Sequence, residues 1–327
     1  MAATHAELVT SHVTPKSMYE AISGSDAVHW KQAIQEELTS LKNCAVWKVV
    51  LLSTLSPSAK AIPTKWVFKI KTDGHGKIER YKARLVVCGY RQKFGRDYDQ
   101  TFAPVAHAAS IRMILALAVS MRLKLWQFDI KTAFLYGHLP RAQRVYLQPP
   151  QGMSVPPGHV LALLKSMYGL KQAPLQWNKH LHATLTEFHF RRSIYDPCVY
   201  FRCADQDILM LAVVVDDIIA AATTDHLIDV FEAQMKTKYK LTSLGSPKRL
   251  VGINISLTND GLTLDQNQFV KDIAREFKQS DCKPVSTPAA PGTVPEGVSP
   301  LLLPGNRYLS LVGSLLWASM TRHSSGG

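Results

Sequence analysis

Between Trp30 and Leu41 apolar residues fall at 30, 33, 34, 38 and 41 with polar residues between them, a helical period that predicts an amphipathic helix. The segment Lys65 to Lys71 (KWVFKIK) reads as a strand, Asp73 to Gly76 as a tight turn, and Tyr81 to Cys88 as the returning strand of a hairpin. Ser110 to Met121 is almost wholly apolar and predicts a buried helix with Ser110 as its N-cap. Leu125 to Ile130 then reads as a buried strand, Gln148 to Gly158 as a loop, and Gln172 to Phe188 as a helix with Pro174 in its first turn.

Farther on, two apolar runs, Ile208 to Val215 and Ile218 to Ala222, are separated only by Asp216 and Asp217, the pattern of a tight hairpin whose turn presents acids. A helix is expected from Asp225 to Lys238. A second hairpin, Arg249 to Ser256 with Leu262 to Leu264, would turn on Asn259-Asp260-Gly261. Asn267 to Phe277 reads as a helix, Pro284 to Pro304 as a proline-rich linker, and Arg307 to Met320 as a last apolar helix. Strands and helices mix without regular alternation, which predicts an α+β fold. No internal repeat is present, and 327 residues suffice for one large domain or two ordinary ones.

Charge changes the picture. The chain carries 38 Lys and Arg against 25 Asp and Glu, a formal +13. Between Lys60 and Arg96 lie eleven basic residues and only two acids, Asp73 and Glu79, so that segment, which includes the predicted first hairpin, holds nine of the thirteen net charges. A solvated face is one reading; a nucleic acid or nucleotide phosphate partner is the other, since the single-sign field exceeds what solubility needs. The five cysteines form no CxxC pair and have no histidine at zinc spacing, so neither a disulfide framework nor a zinc site is expected. No secretory signal or membrane-length apolar run is seen. The twelve histidines are scattered and read as structural, with His180 and His182 on an exposed helix face.

The candidate chemistry lies in three carboxylates: Asp129 at the end of a buried strand, and the paired Asp216 and Asp217. If those strands pair, the acids converge at one end of a sheet, where hard divalent cations would find oxygen ligands. An Asp-Asp pair alone is also an ordinary polar turn. Further strings join it: KWVFKIK at 65–71, YKARLVVCGYRQ at 81–92, TFAPV at 101–105, FDIKTAFLYG at 128–137, MYGLKQAP at 167–174 followed by Trp177, and VDD at 215–217. In order and spacing these resemble the motifs of copia-type retrotransposon reverse transcriptases, from about Pro15 to Arg322.

The resemblance implies a right-hand polymerase of fingers, palm and thumb, with an antiparallel palm sheet backed by helices. It implies an RNA-directed DNA polymerase that binds two Mg²⁺ (or Mn²⁺), deoxynucleotides, and an RNA or DNA template with its primer. Asp129, Asp216 and Asp217 correspond to the catalytic acids and metal ligands. Lys71, Lys82, Arg84, Ile130, Phe134, Lys171 and Gln172 correspond to nucleotide-binding positions, Phe134 being the aromatic that selects against a 2′-hydroxyl; ordinary core packing is its other reading. Tyr168, Gly169, Pro174, Val214, Val215, Val251 and Gly252 correspond to template-primer contacts. The implied division is an N-terminal arm over 1–28, fingers and palm over 29–266, and a partial thumb or connection over 267–327, ending before a ribonuclease H domain.

Other retrotransposon polyprotein products are expected partners, a membrane is not, and the expected location is a cytoplasmic virus-like particle or the nucleus. The sequence departs from the family pattern at Val214, where a tyrosine is usual, at Leu175, where an arginine is usual, and after Thr321, where the pattern would continue. That last departure reads as a fragment, a processed piece or a decayed copy. A catalytically inactive nucleic-acid-binding remnant is therefore the alternative function, and an unrelated two-metal phosphatase or nuclease a third.

Overall fold

A computed structural model describes residues 13–56, 59–72, 77–140, 143–258, 261–283, 285, 292 and 307–319. The expected turn at 73–76, the residues Asn259 and Asp260, the linker after Pro284 apart from 285 and 292, and the chain beyond 319 lie outside these. Among the described residues the fold is a mixed α+β arrangement of several sheets and seven α-helices. The chain forms two units, Met1–Val105 with Ile130–Arg191, and Ala106–Asp129 with Arg192–Gly327.

The first unit opens with helices α1 (Met18–Ser23) and α2 (Ala27–Asn43), then strands β1 (Trp47–Leu51), β2 (Ala61–Ile62), β3 (Thr64–Thr72) and β4 (Ile78–Val87). In the second unit follow helix α3 (Ala108–Ser120) and strand β5 (Lys124–Ile130). Back in the first are β6 (Tyr146–Leu147), β7 (His159–Leu163) and helix α4 (Ala173–Glu187). The rest is β8 (Arg191–Arg192), β9 (Val199–Ala204), β10 (Asp207–Val214), β11 (Asp217–Ala222), α5 (Asp225–Lys236), β12 (Leu241–Gly245), β13 (Arg249–Leu250), β14 (Ile253–Thr258), β15 (Gly261–Asp265), α6 (Asn267–Glu276) and α7 (Arg307–Ser319).

In the first unit the alternation along β3 and β4 decides which side chains are buried. Trp66 faces Leu85 and Phe68 faces Ala83 in the antiparallel register, and all four are buried. The apolar stripe of α2 covers them, with Trp30 packing edge-on against Phe68 (5.2 Å) and Tyr81 (4.9 Å). The intervening positions pair Lys69 with Lys82, Lys71 with Arg80 and Val67 with Arg84, so the cations share the opposite face. Strands β1, β7, β6 and β2 form a separate four-stranded sheet.

The second unit is built on a six-stranded sheet in the order β12-β5-β11-β10-β9-β8. Leu125, Ile219, Ala221, Ala212 and Val214 share one face with α3 and with Leu250 and Ile255 of the β13-β14-β15 sheet. On the other face Phe128 meets Phe231 of α5 at 5.5 Å. Runs such as Ile218 to Ala222 read as continuous apolar stretches because both faces of the sheet are covered.

Four expectations need correction. Helix α3 starts at Ala108 with His107 as N-cap, because the Asp196 carboxylate accepts the His107 N–H at 2.9 Å; Ser110 lies inside the helix. Nor is α3 buried all round: Ile114, Leu115 and Ala118 are, whereas Met113 and Val119 are exposed. The run Arg249 to Ser256 is not one strand, since Val251 and Gly252 both take positive φ (48° and 80°) and fold β13 back on β14. His180 and His182 of α4 are half-buried rather than exposed, His180 stacking near Tyr136.

Candidate functional site

The expected convergence of acids occurs within the second unit. Strands β5 and β11 pair antiparallel with Asp129 directly opposite Asp217, so the two side chains project from the same face at one end of the sheet. The next pair along, Gln127 with Ile219, belongs to the same face, and the Gln127 amide donates to Asp217 Oδ1 at 3.2 Å. Val214 pairs with Asp217 across β10 and β11, leaving Val215 and Asp216 as a two-residue turn.

That turn is strained. Val215 takes φ 58°, a left-handed conformation that costs a β-branched residue about 1–2 kcal/mol. A positive φ at the first central position matches the right-handed twist of the flanking strands and directs the chain through Asp216 into Asp217. Strain of this kind persists where surrounding packing over-determines it, and here Val214, Ile218 and Ile219 are buried on either side.

Two carboxylates directly opposite one another repel. Their oxygens are the donors a hard divalent cation takes, with no softer His or Cys ligand on either strand near them. Among the described residues, however, no group of three or more His, Cys, Asp or Glu side chains is set to hold a metal ion. The backbone thus gathers three aspartates at one sheet end and opposes two of them, without closing all three carboxylates into a cage.

The other candidate residues lie mainly in the first unit. Arg84 of β4 holds its guanidinium over the Tyr168 ring at 4.4 Å, and Phe134 meets Tyr168 edge-on at 5.3 Å. These three sequence candidates form one cluster. Phe134 lies in a short 3₁₀ turn (Ala133–Tyr136) whose Phe134 carbonyl accepts from Ser166 Oγ at 2.5 Å. Lys71 is exposed and Lys82 half-buried on the cationic face of the hairpin. Lys82 is pushed down to about 8, first by burial and then by Arg84, Lys71 and Arg80, with Glu37 opposing.

Gly169 takes φ 91° where the 168–170 turn crosses β4, and Pro174 lies in the first turn of α4. Lys171 Nζ donates to the Tyr98 hydroxyl at 3.0 Å. Gln172 is fully buried; its side-chain carbonyl accepts from Gln92 (2.9 Å) and its amide donates to the Asp97 carbonyl (2.8 Å), so it braces a loop. Ile130 is fully buried at the end of β5. In the second unit Val251 and Gly252 form the β13-β14 turn, with Val251 partly exposed.

Sequence reading missed Glu37. This residue of α2 accepts the Leu85 N–H at 3.2 Å, and burial raises its carboxyl while the neighbouring Arg84 and Lys82 lower it. Only the pairing of β4 with α2 reveals that neighbourhood, since some forty-eight positions separate the two residues.

These features fall within a known family. Residues 44–291 match the family model described as reverse transcriptase (RNA-dependent DNA polymerase), and the chain belongs to that family. It is homologous over most of its length to copia-type retrotransposon Pol polyproteins. It is 36% identical over 326 residues to the retrovirus-related Pol polyprotein from transposon TNT 1-94 of Nicotiana tabacum, covering 95% of this chain and 24% of that protein. It is 30% identical over 322 residues to the corresponding polyprotein from transposon RE2 of Arabidopsis thaliana, covering 98% and 22%. The chain therefore spans under a quarter of the length of these relatives. Among the described residues no helix is long and apolar enough to cross a membrane.

Proposed function

We propose that the chain is the RNA-directed DNA polymerase portion of a copia-type retrotransposon, adding deoxynucleotides to a primer 3′-hydroxyl. The single observation that supports this most is the register that sets Asp129 opposite Asp217 beside the strained Val215-Asp216 turn. A structural hairpin has no need of paired, repelling carboxylates at its end; a cation site does.

In this reading Asp129, Asp216 and Asp217 hold two Mg²⁺, with the Ile130 carbonyl as an added ligand. When bound, those ions would make the primer hydroxyl a better nucleophile and neutralise charge on the leaving pyrophosphate. The sheet of the second unit is the palm, the β3-β4 hairpin belongs to the fingers, and 29–266 carries both. Residues 1–28 form an arm and 267–327 the beginning of a thumb or connection.

Arg84, Lys82 and Lys71 bind the triphosphate, Arg84 by its planar fork while Tyr168 fixes its direction. Phe134 excludes the 2′-hydroxyl, and Lys171, Tyr168, Gly169, Val214, Val215, Val251 and Gly252 meet nucleotide, template or primer. Gln172 acts through the loop it holds, and Pro174 meets template or primer. Magnesium-dependent primer extension by the purified chain, on RNA and DNA templates, tests the reading; absence of extension with intact binding of template-primer would instead favour the inactive remnant.

Lys82 gives the reading a pH signature. Its proton is held less tightly in the fold than in the unfolded chain, so that fold stability rises with pH from about 8 toward the ordinary lysine value. A bound polyphosphate favours the charged form, so triphosphate affinity should fall as pH rises through about 8. Nucleotide binding measured from neutral to alkaline pH should show that fall in the parent, and Lys82→Gln should flatten it. An unchanged profile in the variant would remove Lys82 from the site.

A further inference from the structure

The segment from Gly89 to Tyr98 carries two large aromatic side chains almost wholly in solvent, Tyr90 at 72% and Phe94 at 73% exposure. Single exposed aromatics are common, but these sit on a loop fixed from beneath. Gln92, buried, accepts the Lys171 N–H at 2.8 Å and donates to Gln172 at 2.9 Å. Asp97, also buried, accepts the Lys93 N–H at 2.7 Å and two bonds from Arg96 at 2.9 and 2.8 Å. Gly95 turns the tip with φ 76°, and Phe94 is held edge-on to Tyr98 at 5.8 Å.

The buried polar residues hold the loop while the apolar ones face outward, the reverse of what packing alone would select. The only carboxylate between Gly89 and Tyr98, Asp97, is consumed internally by Arg96. Arg91 and Lys93, both exposed, lie between the two aromatics in the chain and leave the surface positive. Exposed rings that offer stacking faces, with two cations between them in the chain, suit unpaired bases on a phosphate chain better than a duplex, whose bases are already stacked.

We propose that the Gly89–Tyr98 loop is a preformed stacking platform for single-stranded nucleic acid, with Tyr90 and Phe94 taking bases and Arg91 and Lys93 taking phosphates. Identifying that strand as template rests on the polymerase reading; the binding itself does not. The test is fluorescence anisotropy of a short labelled single-stranded RNA or DNA and of a blunt duplex with the full chain in EDTA, so that failure of the metal assignment cannot affect it.

Replacing both rings (Tyr90→Ala with Phe94→Ala) should weaken single-strand binding at least ~10-fold with the salt slope unchanged, because stacking is lost and charge is not. Duplex binding should change little, and Tyr90→Trp with Phe94→Trp should retain single-strand affinity. Arg91→Gln with Lys93→Gln should instead lower the salt slope by about 2. Both aromatic residues are exposed, so the melting temperature should hold. Parent-level affinity of the alanine pair for both single strands would overturn the proposal and leave the patch to an apolar protein partner.

Discussion

Asp129→Asn should abolish primer extension while leaving the protein at least as stable as its parent. The amide keeps the shape of the side chain but removes one charge from the metal-binding set. If that charge contributes about 4 kcal/mol to the transition state, the rate falls about 10³-fold. Stability should move the other way. Asp129 stands directly across from Asp217, and relieving a like-charge cross-strand pair is worth about 0.2–1 kcal/mol. Asp216→Asn should lose extension similarly, without the same gain, because Asp216 sits in the turn rather than opposite another acid.

Steady-state extension, template-primer binding and thermal unfolding of each variant separate the possibilities. Loss of extension together with retained binding and a raised melting temperature for Asp129→Asn is the signature of a site that sacrifices stability for function. A variant that extends at the parent rate would dismiss the metal assignment. One that loses stability and binding together would make the carboxylate a structural residue.

Much of this arrangement could be read from the chain because it depends on periodicity. The strands β3, β4, β5, β10 and β11 announce themselves through alternation or unbroken apolar runs, and the acids at their ends follow from where those runs stop. Even the shared cationic face of the first hairpin follows once Lys69 and Lys82 are seen to occupy equivalent positions. What stayed hidden depends on contacts between distant segments. The start of α3 is set by Asp196, almost ninety residues away, which no local capping rule anticipates. Gln172 looked like a nucleotide contact because its motif is shared, but its burial beneath Gln92 and Asp97 can be seen only in three dimensions.

The same dependence on distant contacts makes Gly169 the position where one methyl group should do most damage. The turn carrying it crosses β4 closely enough that the Val87 N–H donates to the Tyr168 carbonyl at 2.8 Å. A Cβ on Gly169 would overlap the Val87 carbonyl oxygen and stand 2.6 Å from Val86 Cγ1. A Cβ on Gly89 would in turn overlap the Gly169 carbonyl, so the two glycines serve one crossing from both sides. Backbone atoms cannot rotate away as a flexible side chain would, and φ 91° adds its own cost for any residue with a Cβ.

Strain and overpacking together should cost about 3 kcal/mol or more in Gly169→Ala. That is a large share of the roughly 5–15 kcal/mol that holds a domain folded. The damage should also reach the chemistry, since Tyr168, which orients Arg84, is the preceding residue. Gly95→Ala is the matched control: its φ of 76° is also left-handed, yet nothing lies within 4 Å of the added carbon. That variant should lose only about 1–2 kcal/mol. Thermal unfolding and limited proteolysis of the two variants side by side isolate the crossing from the backbone conformation. Equal melting temperatures would mean that β4 and the 168–170 turn can part without loss, and that the cluster of Arg84, Tyr168 and Phe134 does not depend on their close approach.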